Sequence, residues 1–264
     1  MNYKIIYEDK DIIVCHKIAG IPVQTGKIGA TDLVNELKNY LIKSNKEKQG
    51  KEVYLGVVHR LDQPVEGIIV FAKNQAAAGT LSKQLTTGIM NKCYYAVVSG
   101  IPKNEKDTLT DYLVKDNKTN TSSITTKDKG KESKLEYTLL KQEQKEDKAY
   151  ALLDIHLLTG RHHQIRVQMA NANLALLGDK KYGNEISNAL SNILNVKNVA
   201  LCAYKLEIIH PTTKKKMEFQ IRPEGKIFEQ FLPELSYLQQ HRIVKFSHTT
   251  KEKKKKEAFM YGET

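Results

Sequence analysis

No stretch of this sequence reaches 18 consecutive apolar residues, so it contains no candidate helix that spans a membrane. Its first residues, MNYKIIYEDKDIIV, carry acids where a secretory leader needs an apolar run, which argues against export. Cysteine is scarce. Cys15, Cys93 and Cys202 stand far apart with no CxxC, too few for a disulfide framework, and read as reduced core thiols of a cytoplasmic protein. Metal motifs are missing too. The histidines show neither HxxxH nor HExxH, and the adjacent His162 and His163 do not face one ion from a helix, so no metal is expected. GxGxxG, GxxxxGK[ST] and GxSxG are absent, which removes the usual dinucleotide, P-loop and serine-hydrolase readings.

Acidic charge is also in deficit. Thirty Asp+Glu face 42 Lys+Arg, a formal net charge of +12 over 264 residues. Such a balance favours polyanions, of which nucleic acid is the commonest in the cytosol, although a lysine-rich composition can also be a general bias. Arginine is rarer still, with five (Arg60, Arg161, Arg166, Arg222 and Arg242) against 37 lysines. Arginine offers a planar fork where lysine is a flexible point charge. Three of the five fall within Val58–Asp62 and Gly160–Val167, which marks those stretches for geometry rather than mere charge. With 40% apolar residues the chain has enough material for a real core, in one to two domains.

Residues 3–18 read as two short strands about a turn at Asp9–Asp11. Thr31–Leu37 reads as a capped helix start, and Lys43–Glu52 as a polar loop. Ile68–Ala72 is a run of five apolar residues, a buried strand, and Pro64 and Gly67 bend the connection that enters it. Asn74 is placed to cap a helix over Gln75–Leu85. Lys92–Val98 is a further strand, and Lys103–Lys134 a charged hairpin excursion with mobile tips. Leu135–Leu140 and Tyr150–Leu157 read as strands joined by a charged turn over Lys141–Lys148. Helices are expected over His163–Ala175 and Ile186–Ile193, a hairpin over Leu201–Ile209 and Met217–Ile221, and amphipathic helical spacing over Phe228–Leu238 that Pro233 should break. Many strands with a few interspersed helices and no regular βα alternation point to an α+β (mixed α/β) fold with a mostly antiparallel or mixed sheet. The lysine-rich stretch Lys251–Glu257 reads first as a solvated terminus and second as an RNA tether.

Asp62 lies in His-Arg-Leu-Asp beside the buried strand, where a partly desolvated carboxylate needs a partner. Arg166, next to an apolar helix face, is the candidate. An Asp–Arg pair in a cleft keeps the acid ionised, which suits a nucleophile or a base. Such pairs are also common as structural ties, and the residues alone favour that plainer reading. Tyr94 and Tyr95 point to opposite faces of a strand, so one can face a cleft and stack on a base while the other enters the core. Periodicity does not say which.

These residues nevertheless stand in a recognisable order. His59-Arg60-Leu61-Asp62 followed by Gly67–Lys73, the strand Lys92-x-Tyr94-x-Ala96-x-Val98, Thr159-Gly160-Arg161-x-His163-Gln164-Ile165-Arg166-Val167, Gly178-Asp179 with Tyr182-Gly183, and Leu201-x-Ala203 with His210-Pro211 resemble the motifs of the RluA/RluD-like RNA pseudouridine synthases. Matches run from about Tyr7 to Phe219. The resemblance implies the pseudouridine synthase fold, with two subdomains around a central RNA-binding cleft. It implies isomerisation of uridine to pseudouridine in structured rRNA or tRNA, with no cofactor and no metal. Asp62 would be the catalytic aspartate, Arg166 its ion-pair partner, and Tyr94 the residue packed on the base. His59, Arg60 and Leu61 would shape the loop, with Arg60 also assisting base flipping. Arg161, His163, Gln164 and Ile165 would line the RNA pocket. The expected organisation is a catalytic domain over 1–245 and a basic tail over 246–264, without the S4 domain many members carry, acting as a monomer.

The sequence departs from the family pattern at Val65-Glu66, where Glu66 adds charge near the cleft, and at His162 and Gln168, pocket neighbours that bear on target choice. Two rivals remain: a non-catalytic RNA-binding protein on the same fold, and a base-releasing N-glycosidase.

Overall fold

The computed structural model describes residues 2–26, 29–44 and 53–231. The basic tail, most of the Lys43–Glu52 loop and the Phe228–Leu238 helix past Phe231 lie outside these residues. Within them, Lys226–Phe231 forms a 3-10 turn.

A β-hairpin opens the chain, β1 (Tyr3–Glu8) with β2 (Ile12–Lys17), its turn closed by the Asp9 carboxylate accepting the N–H groups of Asp11 and Ile12. Helix α1 (Leu33–Ser44) begins where Asp32 accepts the Asn35 N–H, and buries Leu33, Val34, Leu37 and Leu41. The short β3 (Gly56–Val57) leads through a bent segment to β4 (Glu66–Ala72), which is buried throughout. Asn74 caps α2 (Gln75–Thr86) by accepting the Ala77 N–H, as its residue type predicts. Then come β5 (Asn91–Ser99), β6 (Lys106–Asp116), β7 (Thr121–Thr125), β8 (Lys131–Lys145), β9 (Lys148–Leu157), α3 (Gln164–Asn171), α4 (Glu185–Ile193), β10 (Leu201–Ile209) and β11 (Lys216–Gln220).

All eleven strands join one sheet, ordered β1-β2-β4-β10-β5-β9-β8-β6-β7, with β3 beside β4 and β11 beside β10. The late strand β10 lies between β4 and β5. It runs parallel to β4 through Cys202↔Glu66 and Ala203↔Gly67 and antiparallel to β5. The other described pairs are antiparallel, so the expected mixed α/β architecture stands. Gly67 takes φ +141 at the parallel contact, where a Cβ would lie 2.5 Å from the Ala203 Cβ. Only glycine fits so close an approach. One core cluster packs α1 and α3 on the sheet through Leu33, Leu37, Ile165 and Met169. Two others gather around Leu190 of α4 and Leu81 of α2.

Two expectations need correction. The charged turn over Lys141–Lys148 is only Glu146-Asp147, both at positive φ, because β8 and β9 keep pairing out to Lys145↔Lys148. There the strands carry charge because they are half exposed. The hairpin expected over 103–134 is there as β6 with β7, and it joins the sheet because β6 also pairs β8 from Lys106↔Thr138 to Leu113↔Lys131. Helix α3 ends at Asn171, not at 175. Asn173 turns left-handed (φ 60), and the chain returns to the sheet through the Ser99 N–H bond to the Ala175 carbonyl.

Candidate active site

The segment before β4 is held as a rigid bend. The Val65 N–H returns to the Asp62 carbonyl, while the Gln63 carbonyl accepts the Gly20 N–H at 2.8 Å and the Lys17 ammonium at 3.1 Å. Lys17 is fully buried. Burial pulls its pKa down to about 8, against the opposing pull of the Asp62 and Glu66 charges. His59 accepts the Val70 N–H at Nε2, and burial together with Lys92 pushes its pKa to about 3, so the ring is neutral. These ties present Asp62 to a groove of about 770 Å³.

Arg166 arrives from α3, every residue of which from Gln164 to Met169 is buried. Its Nε and Nη2 each reach one oxygen of Asp179 at 2.7 Å, and its Nη1 reaches Asp62 Oδ2 at 2.9 Å. The guanidinium fork therefore bridges two carboxylates. The Asp179 side chain is wholly buried and also accepts the N–H groups of Lys181 and Tyr182. Burial raises the Asp179 pKa, but the Arg166 hydrogen bonds and charge outweigh it and hold the carboxyl below its ordinary range. Asp62, in contrast, keeps 27% side-chain exposure. One carboxylate fixes the arginine, and the arginine aims the other into the groove.

His163 completes the surroundings of Asp62. Tyr182 Oη accepts the Ser122 N–H and meets His163 Nδ1 at 2.7 Å, while His163 Nε2 lies 3.6 Å from Asp62 Oδ2. Burial drives the His163 pKa down to about 4, against the pull of Asp62, so the contact is that of a neutral ring. His162 stacks on His163 at 3.7 Å and meets the Ser122 hydroxyl.

The tyrosine ambiguity resolves cleanly. Tyr94 lines the groove, and burial raises its phenol pKa well above the usual value. Tyr95 lies in the core, stacked on Tyr204 at 3.6 Å. His59, Arg60, Leu61, Arg161, His163, Gln164 and Ile165 all line the groove. Leu61 and Ile165 also belong to the apolar core behind it. Gln164 is a staple: it accepts from Thr159 and the Arg161 N–H and donates to the Lys134 carbonyl. Arg161 donates Nε–H to the Glu132 carbonyl and stays exposed.

One expectation about the sequence departures fails. Glu66 does not line the groove. It is buried and accepts the N–H groups of Glu224 and Gly225, tying down the segment after β11. Gln168 is a pocket neighbour as expected: fully buried, it accepts from Gln164 of the groove wall and braces α3 by donating to Asp111 at 2.7 Å and to the Ser133 carbonyl at 3.0 Å. Residues with no individual role in the sequence reading are Asp179, Tyr182, Lys17 and Lys92. The Gly178-Asp179 motif had flagged its loop, but no spacing rule links Asp179 to Arg166.

Asp9, Asp11 and His210 form a cluster close enough to hold a metal, away from the groove. His210 Nδ1 accepts the N–H groups of Thr212 and Thr213, which puts the proton on Nε2, and that nitrogen donates to Asp9 at 2.7 Å. The imidazole is spent on clamping two turns together.

With this geometry in place, the likenesses to known proteins fall into line. The family described as RNA pseudouridylate synthase matches residues 11–171. An uncharacterized RNA pseudouridine synthase of Aquifex aeolicus is 34% identical over 241 residues, covering 90% of this chain and 73% of that protein. The ribosomal large subunit pseudouridine synthase D of Borreliella burgdorferi is 35% identical over 205 residues, covering 77% of this chain and 60% of that protein, so the chain spans less than two thirds of that relative. Human RNA pseudouridylate synthase domain containing 1 shares the fold at a TM-score of 0.69 and 19% identity, over 97% of this chain and 94% of that one. The matched span holds both Asp62 and Arg166, and the chain belongs to the RNA pseudouridylate synthase family.

Proposed function

We propose that this protein is an RluA/RluD-like enzyme that converts specific uridines of structured RNA, ribosomal or transfer, to pseudouridine, working as a cytoplasmic monomer. The observation that carries this reading is the Asp62–Arg166 pair, 2.9 Å apart, at the wall of a groove of about 770 Å³ that also holds Tyr94. That volume lies within the range of nucleotide-sized sites. The name of the Borreliella relative favours large-subunit ribosomal RNA as the substrate class.

A uridine in folded RNA must leave its stack before its glycosidic bond can be reached, at a cost of a few kcal/mol. Backbone contacts from the basic groove offset part of that. Tyr94 then packs on the extruded base, and Asp62 faces the ribose. Breaking the N1–C1′ bond leaves C1′ electron-poor. Either the carboxylate bonds to C1′ and leaves again when C5 of the turned base attacks that carbon, or it takes the C2′ proton to give a glycal and returns it to C2′ as C5 bonds to C1′. The C5 proton is then removed and N1 ends protonated. Nothing is released, so one acid suffices. Arg166 is a positioning residue that keeps Asp62 charged and aimed.

The test compares pseudouridine maps, made by chemical labelling, of cellular RNA with and without the gene and with Asp62→Asn. Sites that vanish in the deletion and stay absent with D62N, while the purified variant still binds RNA, are the expected result. A parent protein that binds RNA but forms no pseudouridine would mean a non-catalytic binder. Free uracil in the reaction would mean a glycosidase.

A further inference from the structure

We infer that Lys92 is a phosphate-binding residue, its ammonium taking one phosphodiester of the RNA strand admitted by the groove. This rests on the reading of the groove as an RNA site. Lys92 stands two residues before Tyr94 on β5, hence on the same face and about 7 Å along the strand. Its side chain is almost entirely buried, and it lines the groove. Among the described residues its ammonium has no hydrogen bond and no ion pair. The other buried lysine among the described residues, Lys17, shows what compensation looks like, with two backbone carbonyls at 3.1 Å. An uncompensated buried cation is costly, and the fold retains one here. The chain also leaves it room. Gly160 lies across the groove, where a Cβ would come within 3.3 Å of the ammonium.

The charges around it leave no internal partner. The segment before β4 presents His59, neutral, and Arg60. Strand β9 and the stretch after it present His156 and Arg161. On β10 the nearest acid, Glu207, is engaged by Lys205, Lys216 and Asn91. Asp62 is the one acid among the described residues that line the groove, and it belongs to Arg166. A full charge with no protein counter-ion is balanced by a full anion, and RNA carries one at every phosphate, whereas a uracil carbonyl offers only a dipole. Burial pulls the ammonium pKa down to about 8. The free protein therefore loses this charge just above neutrality, while a bound phosphate would hold the proton in place.

The experiment measures the affinity of the full-length protein for a fluorescent RNA hairpin with a single loop uridine, against salt and pH. The parent is expected to bind more weakly as pH rises past 8. Lys92→Met should weaken binding about tenfold at pH 7 and shallow the salt slope by roughly one. Lys92→Arg should restore affinity and remove the pH dependence, which also covers the case in which Met at this position unfolds the protein. A K92M affinity and salt slope equal to the parent's would overturn the assignment. So would unchanged affinity with slowed turnover of bound RNA, since the ammonium would then serve the base. Pseudouridine formation by the parent is read separately. Its absence alongside pH-dependent binding would sink the catalytic reading and leave the phosphate site standing.

Discussion

Asp179→Asn tests the division of labour around Arg166 most directly. The substitution keeps the shape of the side chain, removes its charge and places an amide where one of two 2.7 Å contacts is made. Asp179 does not line the groove, so any effect travels through the arginine. Removing one partner of a buried ion pair typically costs about 3–5 kcal/mol. The lower end applies because the remaining carbonyl oxygen still accepts one hydrogen bond. For a chain of this size about 3 kcal/mol lowers the melting temperature by roughly 6–12 °C. Turnover of bound RNA should fall as well, because Arg166 loses the anchor that aims it at Asp62, while RNA affinity should hold. Calorimetry and single-turnover pseudouridine formation read the two effects. A variant that melts with the parent, or that loses affinity rather than turnover, would refute the reasoning.

Two further outcomes follow from the geometry. Gly67→Ala drives a methyl into Ala203 at the parallel β4/β10 contact, and should cost more than about 2 kcal/mol in urea unfolding; a parent-like midpoint would remove the strand crossing from the account. Acid should destabilise the fold in a defined window. His59 and His163 have folded pKa values near 3 and 4, below the ordinary 6.5, so the unfolded chain binds more protons between those limits and stability present above about 6.5 is lost as pH falls toward 4. His163→Gln should flatten part of that decline in pH-stepped thermal melts, and a melting temperature constant from pH 7 to 4.5 would contradict it.

Local chemistry was the most legible part of the sequence. The Asp9 turn, the Asn74 cap and the apolar run of β4 depend on neighbours in the chain, and they stand where their residue types put them. The Asp62–Arg166 pairing, across 104 residues, was legible only as a candidate until ordered motifs supported it. What escaped depends on packing. Glu66 looked like cleft charge because nothing nearby in sequence reveals the backbone amides at 224 and 225 that it serves. The charge of Lys141–Lys148 read as a loop because half-exposed strands carry the same residues as turns. Tyr94 and Tyr95 were inseparable by periodicity, since alternation gives opposite faces without saying which is the groove.

The strand order has a bearing on how the Asp62–Arg166 pair comes into being. Asp62 is delivered by the β1–β4 portion and Arg166 by the chain that follows β9, and the seam between those portions is filled by residues 201–209. A ribosome that has released only the first 171 residues has made both members of the pair, but not the plank that sets them side by side. Pairing is therefore a late event in biosynthesis, and a prematurely ended product carries Asp62 without its aim.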